Sequence, residues 1–176
     1  YLEYFVKTEW LAQVRAARLR VLSLPCCSGE EPYSIAITLL DCGLPPEIFA
    51  IDGIDISSVV LAKAAKGVYS RNSFRGSHLD FRDKYFRESG GSYELKSEVK
   101  KTVSFYKRNL LEYPEGPDFE NVYDIIFCRN LFIYLDMDAQ KKAVATLSRL
   151  LKEDGLLFLG HAETEVLAGS QFVSVK

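Results

Sequence analysis

Residues 21–33 read VLSLPCCSGEEPY, and they predict a β-strand, a tight turn and the start of a helix. The apolar run from Val21 to Leu24 forms the strand, which breaks at Pro25, and small residues continue to Gly29. In an open α/β sheet, ligands bind outside the carboxyl ends of the strands, and the first strand-to-helix turn is a usual place for them. This stretch is therefore the first candidate for a ligand site.

Two adjacent carboxylates, Glu30 and Glu31, stand where the helix is predicted to begin. A phosphate-binding turn uses the free N–H groups and the positive end of the helix, and carboxylates there would repel a phosphate. The stretch matches neither the phosphate-loop pattern nor the dinucleotide pattern GxGxxG. We expect a ligand that presents hydroxyl groups or a positive charge. The alternative is a plain connection whose glutamates interact favourably with the helix dipole.

The composition of the chain predicts one domain that carries a small insertion. Its 176 residues are 48% hydrophobic, and the net charge of −2 gives no general reason to expect binding to nucleic acid. No apolar run is long enough to span a bilayer, and the beginning of the chain does not match a signal peptide. Four cysteines and two histidines lack the spacing of a metal site or a Ser–His–Asp triad. The adjacent Cys26 and Cys27 suggest a reducing compartment, and the start at Tyr1 suggests a piece of a longer protein.

Strands alternate with helices along the chain, which predicts an α/β fold with a mostly parallel sheet and helices on both faces. An amphipathic helical lead-in is predicted over residues 1–20, with its arginines on a solvated face. Strands are predicted at 21–24, 48–54, 103–106, 123–128, 156–159 and 171–175, and helices at 32–41, 59–66 and 138–151.

Residues 68–106 differ from the rest, because they are rich in basic, small and aromatic residues. They predict a connector followed by a small antiparallel hairpin around Gly90 and Gly91. An insertion of this kind in a parallel-sheet domain is a candidate docking site, and its basic character would suit an acidic partner. A solvated excursion with no partner is the alternative.

Polar residues follow four of the predicted strands, at Glu30–Glu31, Asp55, Asn109 and Arg129–Asn130. The carboxyl ends of parallel strands meet at one edge of a sheet, so these residues describe a pocket for an adenosine-like ligand. An acidic residue after the second strand often binds ribose hydroxyls. Helix capping is the alternative for Asp55, and we favour the ribose because Ser57 can cap the helix.

Three segments carry a resemblance to a known family: SGEEPYSIAITLLD at 28–41, IFCRNLFIYLD at 126–136 and GLLFLGHAET at 155–164. They resemble signature segments of the chemotaxis-receptor methyltransferases, the CheR family. LPCCSGEEPYS and RNSFRG further resemble a branch found in surface-sensing pathways. The resemblance implies a Rossmann-like class I methyltransferase fold over 21–176, and a bacterial signal-transduction enzyme that uses S-adenosylmethionine, releases S-adenosylhomocysteine and forms methyl esters on receptor glutamates.

The resemblance also implies roles for particular residues. The positions that match the family's cofactor-binding residues are Glu31, Asp55, Asn109, Leu110, Arg129 and Asn130. Asp55 would hold the ribose, and Asn109 and Leu110 would flank the adenine. Tyr134 matches the tyrosine beside the reacting methyl group, the alternative being a core aromatic. The predicted contacts to an acidic receptor helix are Arg15, Arg18 and Arg75.

The partner implied is the cytoplasmic helical domain of a chemoreceptor, with no nucleic acid and no membrane insertion, in the cytoplasm. The hairpin Glu88–Tyr93 is shorter than in family members that dock on a receptor's tether peptide, so we expect independence of that tether. Members of the surface-sensing branch are often fused to tetratricopeptide repeats, so we expect such a region outside this chain. The resemblance does not extend to the family's N-terminal helical domain, which is absent from this chain.

The beginning of the chain departs from the family. The family's pattern Asn-x-Thr-x-Phe-Phe-Arg stands here as YLEYFVK at residues 1–7, and the Asn, Thr and Arg that help hold the cofactor are replaced. Lys7 keeps the charge of the Arg without its planar fork. Two alternatives follow: a non-catalytic cofactor-binding or scaffold module of a chemosensory pathway, and a methyltransferase for a small molecule or nucleic acid.

Overall fold

A parallel sheet of five strands forms the centre of this computed structural model, which describes residues 1–11, 18–74 and 79–173. Along the chain the strands are β1 (Leu19–Leu24), β2 (Phe49–Asp55), β3 (Val68–Ser70), β4 (Phe86–Ser89), β5 (Ser92–Leu95), β6 (Val103–Lys107), β7 (Tyr123–Cys128) and β8 (Leu151–Leu159). The central sheet has the order β6-β2-β1-β7-β8, and every neighbouring pair in it is parallel. The predicted α/β fold is confirmed.

Helices cover both faces of this sheet. They are α1 (Leu2–Phe5), α2 (Glu30–Asp41), α3 (Ser58–Lys66), α4 (Asp80–Tyr85), α5 (Ser97–Lys100) and α6 (Met137–Leu150). Adjacent residues of a strand point to opposite faces, so Ile125 packs in the cluster with α2 while Ile126 packs in the cluster with α6. Both isoleucines are wholly buried. No helix within the described ranges is long and apolar enough to cross a membrane.

The N-terminal segment packs on the α2 face of the sheet. α1 continues as a π-helical turn over Val6–Trp10, and Phe5, Val6 and Trp10 are buried in the core. The predicted helical lead-in is therefore found over residues 2–10, whereas residues 12–17 lie outside the described part. Lys7 is exposed and pairs with Glu3 at 2.5 Å, one helical turn away.

The insertion forms a three-stranded antiparallel sheet in the order β3-β5-β4. The hairpin around Gly90 and Gly91 is present as predicted, joining β4 to β5. The pattern did not predict β3, which pairs with β5 from Val68↔Glu94 to Ser70↔Ser92. Three residues are too few to show an alternating pattern, which explains the omission.

Several predicted boundaries are corrected. The first strand begins at Leu19, two residues before the predicted start, and its helix begins at Glu30 and not at Pro32. The last strand of the sheet runs from Leu151 instead of Leu156. A strand was also predicted at 171–175; residues 171–173 are not in a strand, and residues 174–175 lie outside the described part.

Candidate cofactor site

The carboxyl ends of the five parallel strands lie along one edge of the central sheet. Asp55 ends β2, Asn109 follows β6, and Arg129 and Asn130 follow β7. Glu31 lies in the first turn of α2, after β1. The structure thus brings together at one edge the residues that the sequence placed after separate strands.

The turn between β1 and α2 is held tightly against its neighbours. The Cys26 N–H donates to the Ile54 carbonyl at 2.9 Å, and the Cys27 N–H donates to Asp55 Oδ2 at 3.0 Å. Gly29 has a φ of +92°, and a Cβ added there would lie 2.9 Å from the Tyr69 hydroxyl. Only glycine adopts this conformation without strain, so the turn requires it. The Tyr69 hydroxyl itself donates to the Ser28 carbonyl at 2.9 Å.

The two glutamates of the turn point in different directions. Glu30 is exposed and accepts a hydrogen bond from the Ser28 hydroxyl. Glu31 faces the site, where its Oε1 accepts from the buried Ser23 hydroxyl at 2.8 Å and its Oε2 lies 3.3 Å from Arg129 Nη1. Burial raises the pKa of Glu31, against the lowering effect of Ser23 and Arg129. Sequence reasoning missed Ser23, which lies in the middle of an apolar strand.

Asp55 is bound to backbone N–H groups on both sides. Its Oδ2 accepts from Cys27 N at 3.0 Å and its Oδ1 accepts from Ser57 N at 2.9 Å. The carboxylate is 8% exposed. Ser57 is the N-cap of α3 but makes no side-chain cap bond, so the argument that Ser57 frees Asp55 from capping was wrong. Each oxygen keeps a lone pair for a ligand hydroxyl, so the ribose assignment stays a prediction.

Asn109 and Leu110 follow β6, at the same edge. The Asn109 Oδ1 accepts from Leu111 N at 3.1 Å and so caps the short 3₁₀ helix Leu110–Glu112. The Leu110 side chain is 6% exposed and packs in the core on the α6 side. An adenine contact with Leu110 would therefore use its backbone or the outer edge of its side chain.

The segment after β7 carries the remaining candidates. Arg129 and Asn130 are exposed, and Asn130 has a φ of +58°. Tyr134 ends the 3₁₀ helix Phe132–Tyr134 and is 80% exposed, so the core-aromatic alternative for this residue is wrong. Glu163, which the sequence analysis did not single out, accepts hydrogen bonds from the backbone of this segment. It lies four residues beyond the end of β8, and a rule based on the first polar residue after a strand would have selected His161 instead.

The predicted receptor-binding arginines are not part of this cluster. Arg15 and Arg75 lie outside the described residues. Arg18 precedes β1, at the opposite edge of the sheet, and its Nε donates to the Phe49 carbonyl at 2.8 Å. This position does not support the predicted contact with a substrate that enters at the carboxyl edge.

The cysteines near the site are poor nucleophiles. Burial raises the pKa of Cys26 to about 12, and it also raises the pKa of the exposed Cys27, with a further contribution from the negative charge of Asp55. A thiol needs a low pKa to react as a thiolate. The raised pKa values therefore do not favour either cysteine as a nucleophile.

The donor set at this edge fits S-adenosylmethionine. Glu31 and Asp55 are acceptors suited to an ammonium group and to hydroxyl groups, and Asn109 and Asn130 offer amides for a base or a carboxylate. The tight Gly29 turn brings the backbone close to the site. This set would repel a pyrophosphate, as the sequence predicted.

Comparison with known proteins agrees with this assignment. Residues 1–175 match the family described as CheR methyltransferase, SAM binding domain. The chain is 49% identical over 150 residues to the probable biofilm formation methyltransferase WspC of Pseudomonas aeruginosa, covering 85% of this chain and 35% of that protein. It is 38% identical over 157 residues to the chemotaxis protein methyltransferase of Salmonella typhimurium, covering 86% and 54%. The chain spans about half or less of the length of these curated relatives.

Solved structures share the fold. The citrinin polyketide synthase CMeT domain matches with a TM-score of 0.54 at 19% identity, over 89% of this chain and 32% of that one. A putative sarcosine dimethylglycine methyltransferase from Galdieria sulphuraria matches with a TM-score of 0.52 at 15% identity, over 90% and 45%. These likenesses show the fold alone. The family match over residues 1–175 shows that the chain belongs to the CheR methyltransferase family and forms its S-adenosylmethionine-binding domain.

Proposed function

We propose that the full-length protein uses S-adenosylmethionine to form methyl esters on glutamate side chains of a chemoreceptor. The observation that carries the proposal is the pair of carboxylates, Glu31 and Asp55, at the carboxyl edge of the sheet, next to Asn109 and Asn130. Membership of the family and relatives named as chemotaxis methyltransferases support the same function.

Each residue at the edge has a part in holding the cofactor. Asp55 accepts hydrogen bonds from the ribose hydroxyls with the lone pairs that its backbone partners leave free. Glu31 attracts the positively charged end of S-adenosylmethionine. Asn109 and Leu110 flank its adenine. Arg129 and Asn130 close the site from the β7 side, where Arg129 lies 3.3 Å from Glu31.

The chemistry makes few demands on the protein. The bound cofactor supplies an electrophilic methyl group on a positively charged sulfur. A substrate glutamate has a reference pKa of about 4.3, so it is ionised at neutral pH and needs no general base. One carbon–oxygen bond forms as one carbon–sulfur bond breaks, and no proton moves. The protein must align the reactants and exclude water, and alignment alone can contribute roughly 7–11 kcal/mol.

Tyr134 is positioned to meet the substrate. Its side chain is 80% exposed and stands on the segment that also carries Arg129 and Asn130. Ile133 and Met137, 61% and 72% exposed, lie beside it along the chain. In the proposed mechanism Tyr134 orients the methyl group or the incoming carboxylate.

The partner follows from the same reasoning. The substrate is the cytoplasmic helical domain of a chemoreceptor, and the short hairpin at Gly90 and Gly91 supports binding without a tether peptide. The protein then acts in the cytoplasm, with a tetratricopeptide-repeat region outside this chain. Arg15 and Arg75 stay predicted contacts to an acidic receptor helix.

The test is methyl transfer by the full-length protein from radiolabelled S-adenosylmethionine to membranes that carry its receptor. We expect label that is released as methanol by mild base, because methyl esters are base-labile and N-methyl groups are not. In Tyr134→Phe we expect kcat to fall roughly tenfold or more with cofactor affinity retained, as for the loss of one group that acts in the transition state. Tyr4→Phe, which changes an exposed tyrosine on α1, is the matched control.

Two results would contradict the proposal. Base-stable label would indicate another methyltransferase class, and cofactor binding without transfer to any receptor would indicate a non-catalytic module. Undiminished transfer by Tyr134→Phe would remove only the role of that tyrosine.

A further inference from the structure

A buried carboxylate joins the segments that follow β7 and β8. Glu163 is 2% exposed and lies four residues beyond Leu159, the last residue of β8. Its own N–H donates to the Gly160 carbonyl at 3.0 Å, which folds the chain back toward the sheet. The side chain is thereby directed into the space between the two segments.

Both carboxylate oxygens of Glu163 accept hydrogen bonds from the backbone. Oε2 accepts from Asn130 N at 2.7 Å and from Gly160 N at 2.9 Å, and Oε1 accepts from Phe132 N at 2.8 Å. Three N–H groups from two separate segments therefore converge on one side chain. Hydrogen bonds to an ionised acceptor are shorter and stronger than neutral ones, and the bonds from Asn130 N and Phe132 N, at 2.7 and 2.8 Å, are shorter than the usual N–H···O distance.

The segment after β7 needs such an anchor. Asn130 has a φ of +58°, in the left-handed region that few non-glycine residues occupy, although Asn does so more often than most. Strained residues of this kind persist where the surrounding structure holds them. The bonds to Glu163 flank this point, one at Asn130 and one two residues later at Phe132. They set the direction of the chain between Arg129 and Tyr134.

Gly160 also leaves room for the Glu163 carboxylate, because it has no side chain at that point. A Cβ added to Gly160 would overlap Glu163 Oε2 and would lie 2.9 Å from Asn130 Oδ1. The φ of Gly160 is not in the left-handed region, so its backbone does not require glycine. The missing side chain leaves room for the carboxylate and for Asn130.

We propose that Glu163 is a positioning residue for methyl transfer, whose carboxylate fixes the backbone that presents Arg129, Asn130 and Tyr134. This inference rests on the proposed function, since it takes Arg129 and Asn130 as groups that hold the cofactor. Glu163 itself touches neither cofactor nor substrate in this scheme. It acts through the three N–H groups that it binds.

The test compares Glu163→Gln and Gly160→Ala with wild type in the full-length protein. The first keeps the shape of the side chain but turns one acceptor into a donor that faces an N–H group. The second keeps the charge and displaces the carboxylate, and it also crowds the Asn130 side chain. Glu165→Gln is the matched control, because it removes the same charge from an exposed position two residues away. S-adenosylhomocysteine is the probe, because it lacks the positive sulfur and is less sensitive to charge alone.

Two readouts are measured, well below the unfolding temperature. Amide hydrogen exchange reports the bonds at Asn130 and Phe132 directly, and calorimetric titration reports the affinity. We expect exchange at these two amides to rise roughly tenfold or more, and affinity to fall roughly tenfold or more, in both variants. Glu165→Gln should change neither.

The alternative is that Glu163 only stabilises the fold. Exchange would then rise evenly across β7 and β8, the unfolding temperature would fall, and affinity at low temperature would be unchanged; that result would overturn the inference. If Glu163→Gln does not fold, Glu163→Asp takes its place with the same two readouts, because it keeps the charge on a side chain too short to reach all three N–H groups. A wild-type protein that does not bind the probe would instead overturn the proposed function.

Discussion

Buried carboxylates inside the strands of the central sheet and those at its carboxyl edge are satisfied in different ways. Inside the strands each faces a cation: Asp52 Oδ2 lies 2.7 Å from Arg20 Nη2, and Asp124 Oδ1 lies 2.8 Å from Lys152 Nζ, while Asp124 Oδ2 also accepts from Arg20 N at 2.8 Å. The Tyr123 hydroxyl also donates to Asp52 at 2.9 Å. These charges are neutralised inside the fold, across neighbouring strands.

The carboxylates at the carboxyl edge are held by backbone N–H groups. Asp55 accepts two such bonds and Glu163 accepts three. Glu31 faces a cation, Arg129, but at a longer distance of 3.3 Å, and the side chain of that arginine is 53% exposed. N–H groups bring partial charge, so this edge keeps much of its negative charge.

The difference shows how one residue type serves two purposes in one sheet. Where a cation neutralises the carboxylate, the pair fixes strands against each other and leaves nothing for a ligand. Where N–H groups hold it, the carboxylate is rigid and still attracts hydroxyl groups and positive charge. A positively charged sulfonium ligand suits the second arrangement. Variants of the edge carboxylates should therefore change cofactor binding, whereas variants of the carboxylates inside the strands should change stability.

The largest effect is expected for Asp55→Ala on cofactor binding. The variant removes the acceptor for the ribose hydroxyls and also frees Cys27 N and Ser57 N, so the turn loses its anchor. Affinity for S-adenosylhomocysteine should fall about 100-fold or more, the equivalent of one or two bonds to a charged group. Calorimetric titration measures this, and an affinity within about threefold of wild type would contradict the ribose assignment.

A smaller effect, on stability and not on binding, is expected for Asp52→Ala. Arg20 and Tyr123 lose their acceptor, so the free energy of unfolding should fall by roughly 2–3 kcal/mol, less than for a deeply buried pair because Arg20 is partly exposed. Urea denaturation measures the loss. Cofactor affinity should stay near that of wild type; if it falls as far as in Asp55→Ala, the carboxylates inside the strands and those at the carboxyl edge do not differ as described.

The smallest effect concerns the pH dependence of stability at Glu31. Burial raises the pKa of this carboxyl above its ordinary value of 4.5 in the folded state, so the native protein binds the proton more tightly than the unfolded chain. Such a group adds stability below the unfolded pKa and loses it as the pH rises through the folded pKa.

The stability of wild type relative to Glu31→Gln should therefore be greatest below pH 4.5 and decline as the pH rises through the folded pKa. Denaturation of both proteins across this range measures the difference. A relative stability that grows with pH would show that Ser23 and Arg129 outweigh burial, and that Glu31 resembles the neutralised carboxylates inside the strands.

Much of the fold was predictable because its strands are short apolar runs between clear turns. Tyr123–Cys128 was predicted to the residue, and α6 to within one residue at each end. The start of β1 was missed because Arg20 interrupts the apolar run, and only the bond from its side chain to Asp52 shows why an arginine belongs there.

The site was predictable where one rule applied, a polar residue after a parallel strand. That rule located Asp55, Asn109 and Asn130, but not Ser23, which lies within β1 and contacts Glu31 across the turn. The ion pair between Glu31 and Arg129 joins residues 98 positions apart, so no local pattern encodes it. Sequence gives the members of the site, and tertiary contacts determine which of them carry net charge.

The bond from Tyr69 to Ser28 has a practical consequence for engineering the insertion. Tyr69 belongs to β3 of the small sheet, yet its hydroxyl stabilises the turn between β1 and α2, where it binds Ser28 and lies close to Gly29. The tip at Gly90 and Gly91 has open space around both residues. A binding segment grafted at this tip should therefore leave the turn intact. A graft that replaces β3, and with it Tyr69, would disturb the turn even if the new sheet folds well.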